Sequence, residues 1–217
     1  APDCGNLTGK EWFIKILPDG KAEFQTAASY YGKNYAVFNE YFSNITPEKE
    51  RQFWEQSFSG VIARAENKVI TRDFKLYPGI IKMKFTVPDF WKKSGGYAVF
   101  TLPDSGVSNL VRTAGKRSLP YLFAPGSSMQ IRYNVEIPEN WQLCEFMGGS
   151  FNFNNLGNNS VVEQSANFTD KLLEVKVNFK VPDTIYIEPQ SYILLEELQK
   201  KLSNPANRSF LFKTSGK

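Results

Sequence analysis

The residues best suited to chemistry in this sequence are two cysteines, Cys4 and Cys144, and a scatter of carboxylates, and there is no histidine to work with them. Without histidine the chain lacks the usual neutral-pH proton shuttle, the commonest zinc ligand and the base of most cysteine and serine triads. Two cysteines build neither a disulfide scaffold nor a metal cluster. Their states stay open: a bridge to each other, free thiols, or local packing. Asp19 in Pro-Asp-Gly and Asp104 in Pro-Asp-Ser-Gly are explained by turn chemistry, since aspartate and glycine favour tight reversals. Asp183 and Glu188 flank the apolar Ile185–Ile187, but sequence spacing does not set the separation that a pair of catalytic carboxylates requires. No glycine-rich phosphate loop joins a predicted strand to a helix. The expectation is therefore no catalytic residue, no cofactor and no metal site.

Recognition has more candidates. Arg132 and Glu136 share the polar face of one predicted strand, and Glu174, Lys176 and Lys180 that of another. Their simplest role is a solvated sheet face. Arg117 could pair with a local carboxylate or with an adjoining domain, and Trp141, at a strand end, with Arg132 completes a set of possible interaction residues. Four tryptophans, Trp12, Trp54, Trp91 and Trp141, accompany 18 phenylalanines and 10 tyrosines. Sugar rings stack on exposed aromatics, so a carbohydrate-binding β-sandwich, with a polysaccharide partner, is the alternative to an interaction module. Two or three coplanar exposed rings in a groove would favour it.

The elements that must position these residues are mostly strands. Trp12–Leu17 leads through Pro18-Asp19-Gly20 into Lys21–Tyr31, where Ala22, Phe24, Thr26, Ala28 and Tyr30 share one face and Lys21, Glu23 and Gln25 the other. Gly32 breaks that pattern. Thr46 as N-cap, Pro47 at the first position and Glu48 in the first turn predict a helix over 47–59, with Trp54 and Phe58 on one face and Gly60 as its stop. Strand character returns at Val61–Ala65, at Ile81–Val87 and at Tyr97–Leu102, the last reading as continuously buried. Met129–Ile137 and Leu173–Val181 alternate most cleanly, with shorter strands at Phe151–Leu156 and Ser160–Gln164. A terminal helix over 190–203 carries Leu194, Leu195, Leu198 and Leu202 as an apolar stripe that docks on the preceding sheet. The reading is mostly β, antiparallel sandwich-like sheets with two short helices. The turn-rich stretch Pro103–Gly115 divides it into β-rich subregions 1–103 and 104–217.

Bulk properties agree with a globular module. Hydrophobic residues at 41% and charged residues at 22% are ordinary for a folded domain, and 217 residues suffice for one large core or two small ones. A net charge of +4 spread over dispersed lysines gives no nucleic-acid groove. No apolar run is long enough to span a bilayer, and the polar Ala1–Lys10 reads as no signal peptide. Five Asn-x-Ser/Thr tripeptides, such as Asn44-Ile45-Thr46, matter only if the chain is secreted from a eukaryotic cell.

Three stretches, taken in order, resemble the β-rich accessory region that follows the catalytic domain of bacterial transglutaminase-like proteins of the multidomain Bacteroidetes type. The first is Ile16-Leu17-Pro18-Asp19-Gly20-Lys21-Ala22 with Tyr31-Gly32, followed by the helical Pro47–Gly60. The second is Lys116-Arg117-Ser118-Leu119-Pro120 leading to Met129–Ile137 and Pro138-Glu139-Asn140-Trp141. The third is Leu173–Val181 with Ile187-Glu188-Pro189 and Tyr192–Leu202. The resemblance covers about residues 12–204. It implies an extracytoplasmic, periplasmic or secreted parent whose Cys-His-Asp chemistry lies in a neighbouring domain of the same polypeptide. Cys144 does not match that nucleophile, because it follows a strand and turn and opens no helix. The expected function is a non-catalytic structural or domain-interaction module.

Overall fold

The computed structural model describes residues 7–104, 106, 118–123, 128–153, 161–180 and 185–214. Strands β1 (Leu7–Ile16) and β2 (Ala22–Tyr30) form the first hairpin. Its turn is built as the residues dictate. Asp19 Oδ1 accepts from Lys21 N at 3.2 Å, Leu17 N donates to Lys21 O, and Gly20 takes φ +91, a left-handed value that suits glycine. The Gly20 carbonyl then accepts from Phe90 N at 2.8 Å, fastening this turn to the second sheet's approach.

Helix α1 (Gly32–Ser43) follows directly, where the sequence pattern predicts only a break at Gly32. No side chain caps its start and its first turn has no acid. Packing holds it instead: Tyr35, Phe38 and Phe42 face Phe74 and Tyr30. Helix α2 (Pro47–Ser57) begins as predicted, with Thr46 Oγ1 accepting from Lys49 N and Glu48 and Glu50 in the positive first turn. Phe58 lies just beyond it, buried against Phe85.

The expected strand at Val61–Ala65 is not formed. Gly60–Ile62 makes one 3-10 turn, and Ile62 and Ala65 are buried at a spacing of three, which is helical and not strand periodicity. The chain extends again as β3 (Glu66–Asp73) and β4 (Gly79–Val87), followed by β5 (Trp91–Ser94) and β6 (Tyr97–Thr101). In β6, Ala98 and Phe100 are buried while Tyr97 is exposed, so this segment alternates and is not buried throughout. The remaining strands are β7 (Tyr121–Phe123), β8 (Ser128–Glu136), β9 (Trp141–Phe146), β10 (Phe151–Phe153), β11 (Val161–Thr169), β12 (Leu172–Lys180), β13 (Ile185–Ile187) and β14 (Ser209–Thr214). Helix α3 (Tyr192–Ser203) precedes β14.

Eight strands form one sheet in the order β10-β11-β12-β8-β1-β2-β4-β3, and four form a second in the order β5-β6-β14-β9. Strands β13 and β7 pair separately. The architecture is mostly β and sandwich-like, as the alternating segments predict, with three short helices where two were expected. Within the large sheet β1 pairs with β8 in parallel and every other neighbour is antiparallel. The proposed boundary at residues 103 and 104 thus falls between strands that share both sheets, since β6 also pairs with β14.

One core joins the inner faces. Trp12, Ile14 and Phe24 meet Tyr133 and Phe85 within the large sheet, and Phe90 bridges from Phe24 to Phe100 of the second sheet. Tyr192, Leu195, Leu198 and Leu202 of α3 close the far end of this core, which places the terminal helix on the sheet as expected. A second cluster, Phe42, Phe74 and Ile81 with Phe53 and Trp54, seats α1 and α2 at the other end of the same face.

Candidate functional site

Between those two clusters the inner sheet face is left open. In β1 the buried side chains Trp12, Ile14 and Ile16 alternate, and the same phase runs back through Lys10 and Thr8. Lys10 therefore stands on the inner face, level with Ala28 on β2 and Ile131 on β8. One step outward lie Ile81 and Val177. Ala28 is small enough to leave room beside the amine.

The opening is a cleft of about 440 Å³. Its floor is β1, β2 and β4, with Thr26, Tyr30 and Met83 beside Lys10. Phe53, Trp54 and Ser57 of α2 form one wall, and Pro103, Asp104 and Gly106 form the opposite rim. A β-carbon at Gly106 would lie 3.7 Å from Lys10 Nζ, so glycine with φ +78 lets the rim come close to the amine. Asp104 is held from two sides: Oδ1 accepts from Gly106 N at 2.7 Å, and Oδ2 lies 3.7 Å from Arg208 Nη2. Arg208 Nη1 also donates to Leu102 O at 3.2 Å, and Tyr133 donates its hydroxyl to Pro103 O at 3.0 Å. The rim is thereby anchored to the core.

Burial shapes the protonation of these groups. It lowers the Lys10 amine from its ordinary value, because the ammonium is poorly solvated, and Asp104 offsets part of that. Burial also pushes Tyr30 up to about 12 and raises Tyr133, where Arg208 opposes the rise and Asp104 adds to it. The arrangement offers one poorly solvated cation, several hydroxyls and an apolar wall. No thiol lines it, and the described residues contain no group of three acidic or thiol side chains placed to hold a metal.

The outer face of the large sheet is different in character. Arg132 stands 3.9 Å from Glu11 and 3.6 Å from Glu174, Lys176 pairs with Glu174 at 3.0 Å, and Lys15 with Glu136 at 2.9 Å. Phe13, next to Glu11 and Lys15 in the outward phase of β1, is 50% exposed at the middle of this charged ladder.

The predicted interaction residues do not converge. Arg132 is on the outer face. Trp141 is 4% exposed and packs edge-on to Trp91 at 4.8 Å, which makes it a core residue and not a surface anchor. Arg117, Cys4 and Asp183 lie outside the described residues. Cys144 is exposed on β9, with Sγ 3.8 Å from Gln142 O. Asp19 and Asp104 both accept backbone amides two residues on, as turn residues do. Lys10 was not among the predicted residues, although its phase with Trp12, Ile14 and Ile16 marks it as a charge in an apolar position. No family model, curated protein or solved structure matches the chain.

Proposed function

We propose that this chain is a non-catalytic structural or domain-interaction module of an extracytoplasmic, transglutaminase-like protein, and that the outer face of its large sheet receives the neighbouring domain. The observation that carries this is Phe13, a large apolar ring half exposed at the centre of a broad face whose rim is Arg132, Glu11, Glu174 and Lys176. Aromatic and arginine side chains anchor interfaces, and contacts between domains of one chain are more polar than permanent ones. The surface ion pairs themselves add little stability to the isolated chain, about 0–1 kcal/mol each. They suit recognition better than folding. The kind of neighbour and the extracytoplasmic setting come from the family resemblance.

A carbohydrate platform finds no comparable support, because none of the four tryptophans is exposed as a stacking surface. Trp12 and Trp141 are buried, Trp91 donates Nε1 to Leu17 O at 2.7 Å, and Trp54 stacks on Phe42 at 5.6 Å. Hydroxyl-radical labelling of the chain alone and of the polypeptide that includes its neighbouring domain tests the docking reading. Phe13 and Leu172, both outward on the large sheet, should lose labelling in the longer protein while Leu119 keeps it. Equal labelling of Phe13 in both would refute docking at this face. An in-frame neighbour without a Cys-His-Asp set would remove the transglutaminase-like assignment. Acyl transfer by the pure chain, abolished by Cys144→Ala, would overturn the non-catalytic one.

A further inference from the structure

The inner sheet face holds a charged side chain at a register position whose cross-strand neighbours, Ala28 and Ile131, cannot pair with it. An ammonium half-buried in such a place favours a counter-charge, because a poorly solvated, unpaired ion is costly. The nearest carboxylate on the rim, Asp104, is already committed to Gly106 N and to Arg208. Glu11 follows Lys10 in sequence, but its carboxylate lies 3.9 Å from Arg132 on the opposite face of the sheet. Lys10 itself has no ion pair among the described residues. Arg208 thus takes up the rim carboxylate, and Lys10 at the cleft keeps only its longer-range attraction to Asp104.

We infer that the cleft over Lys10 binds a small organic carboxylate, its acid group on the Lys10 amine and its apolar body against Trp54 and Met83. A volume of about 440 Å³ is in the range of small-molecule sites, which are mostly apolar with a few placed polar groups. Here those groups are Lys10 and the hydroxyl-bearing side chains of Thr26, Tyr30 and Ser57. A single ammonium suits a monoanion. A phosphate or sulfate would call for a guanidinium fork or several converging amides, and among the described residues no arginine lines the cleft. Burial lowers the affinity of Lys10 for its proton, and a bound carboxylate would raise it.

Decanoate and decan-1-ol share an apolar chain and differ in the head group, so titrating each into the isotopically labelled chain by NMR separates the acid contact from simple apolar burial. Decanoate should shift the amides of Lys10, Thr26, Ala28 and Ser57 and bind roughly tenfold tighter than the alcohol, the scale of one charge-assisted hydrogen bond. Lys10→Met, checked for folding by circular dichroism, should remove that preference, and Lys10→Arg should keep it. Asp104→Asn withdraws the competing carboxylate while its amide oxygen can still accept from Gly106 N, so it should tighten decanoate binding. Equal affinity for acid and alcohol, shifts confined to other surfaces, or no response at the four amides overturns the inference. If Lys10→Met does not fold, unchanged decanoate affinity in Asp104→Asn overturns it alone. The outcome is separable from the docking proposal, since these variants leave Phe13 and the outer face untouched.

Discussion

At the scale of single residues, half-buried Lys10 and buried Tyr133 show opposite ways of placing a polar group on the inner face. Lys10 has its pKa lowered by burial from the ordinary 10.5. Below that lowered value it is charged in the folded and unfolded chain alike, and its desolvation subtracts from stability in full. Between the lowered value and 10.5 the unfolded chain binds more protons, so this contribution makes stability rise with pH. Tyr30 works in the other direction: with its ordinary 10.0 raised to about 12, it makes stability fall as pH climbs through that interval. Lys10→Met should therefore raise the urea midpoint at pH 7, and the gain over the parent chain should shrink as pH approaches 10.5. A midpoint difference that is absent or independent of pH would contradict the poorly solvated placement of the amine. Tyr133 is satisfied where Lys10 is not. Tyr133→Phe removes the donor to Pro103 O and leaves a buried carbonyl unpaired, a loss of about 1–3 kcal/mol measurable by urea unfolding.

At the scale of elements, α3 is the one whose sequence stripe and buried face agree most closely. Leu195, Leu198 and Leu202 were expected to dock and are buried, with Tyr192 one turn earlier. Leu198→Ala should cost about 2–5 kcal/mol in the same urea experiment, the range for deleting most of a buried leucine side chain. Leu194→Ala, at a partly exposed position of the predicted stripe, should cost clearly less. Elements were legible where periodicity and caps coincide, as in α2, with Thr46 and Pro47, and in β8 and β12, with their strict alternation. Helix α1 escaped because glycine after a strand looks like a stop, and its aromatic residues favour strands as readily as helices. Its signal was present in the helical spacing of Tyr35, Phe38 and Phe42. The cleft was less legible still. Lys10 could be placed on the inner face by extending the phase of Trp12, but the cleft's walls come from α2 and from Pro103, Asp104 and Gly106, and no local pattern says that these meet.

At the scale of the whole molecule, the long connection from β1 to β8 decides how the chain folds. Pairing in parallel along Leu7–Lys15 and Ser128–Glu136 makes the middle of the large sheet from segments more than a hundred positions apart, which repeating turns along the sequence could not announce. The second sheet is mixed in the same way, with β5 and β6 from the first half and β14 and β9 from the second. A fragment ending at residue 103 would leave one edge of β1 without its backbone partners. Trp12 would lose Tyr133, and Phe100 would lose Phe210 and Phe212. Fully burying one large apolar side chain contributes about 1.5–3 kcal/mol. Uncovering several therefore removes most of the 5–15 kcal/mol that holds a typical domain together. The fragment 104–217 fares no better, because β8 would face water along the edge that β1 occupies and Phe210 would lose Phe100. The expected result is that neither fragment alone gives a cooperative urea transition or dispersed amide resonances, and that mixing the two restores both. Independent folding of 1–103, with a dispersed spectrum and a sharp transition, would show that the shared sheets are an interface between two domains and not a single cooperative core.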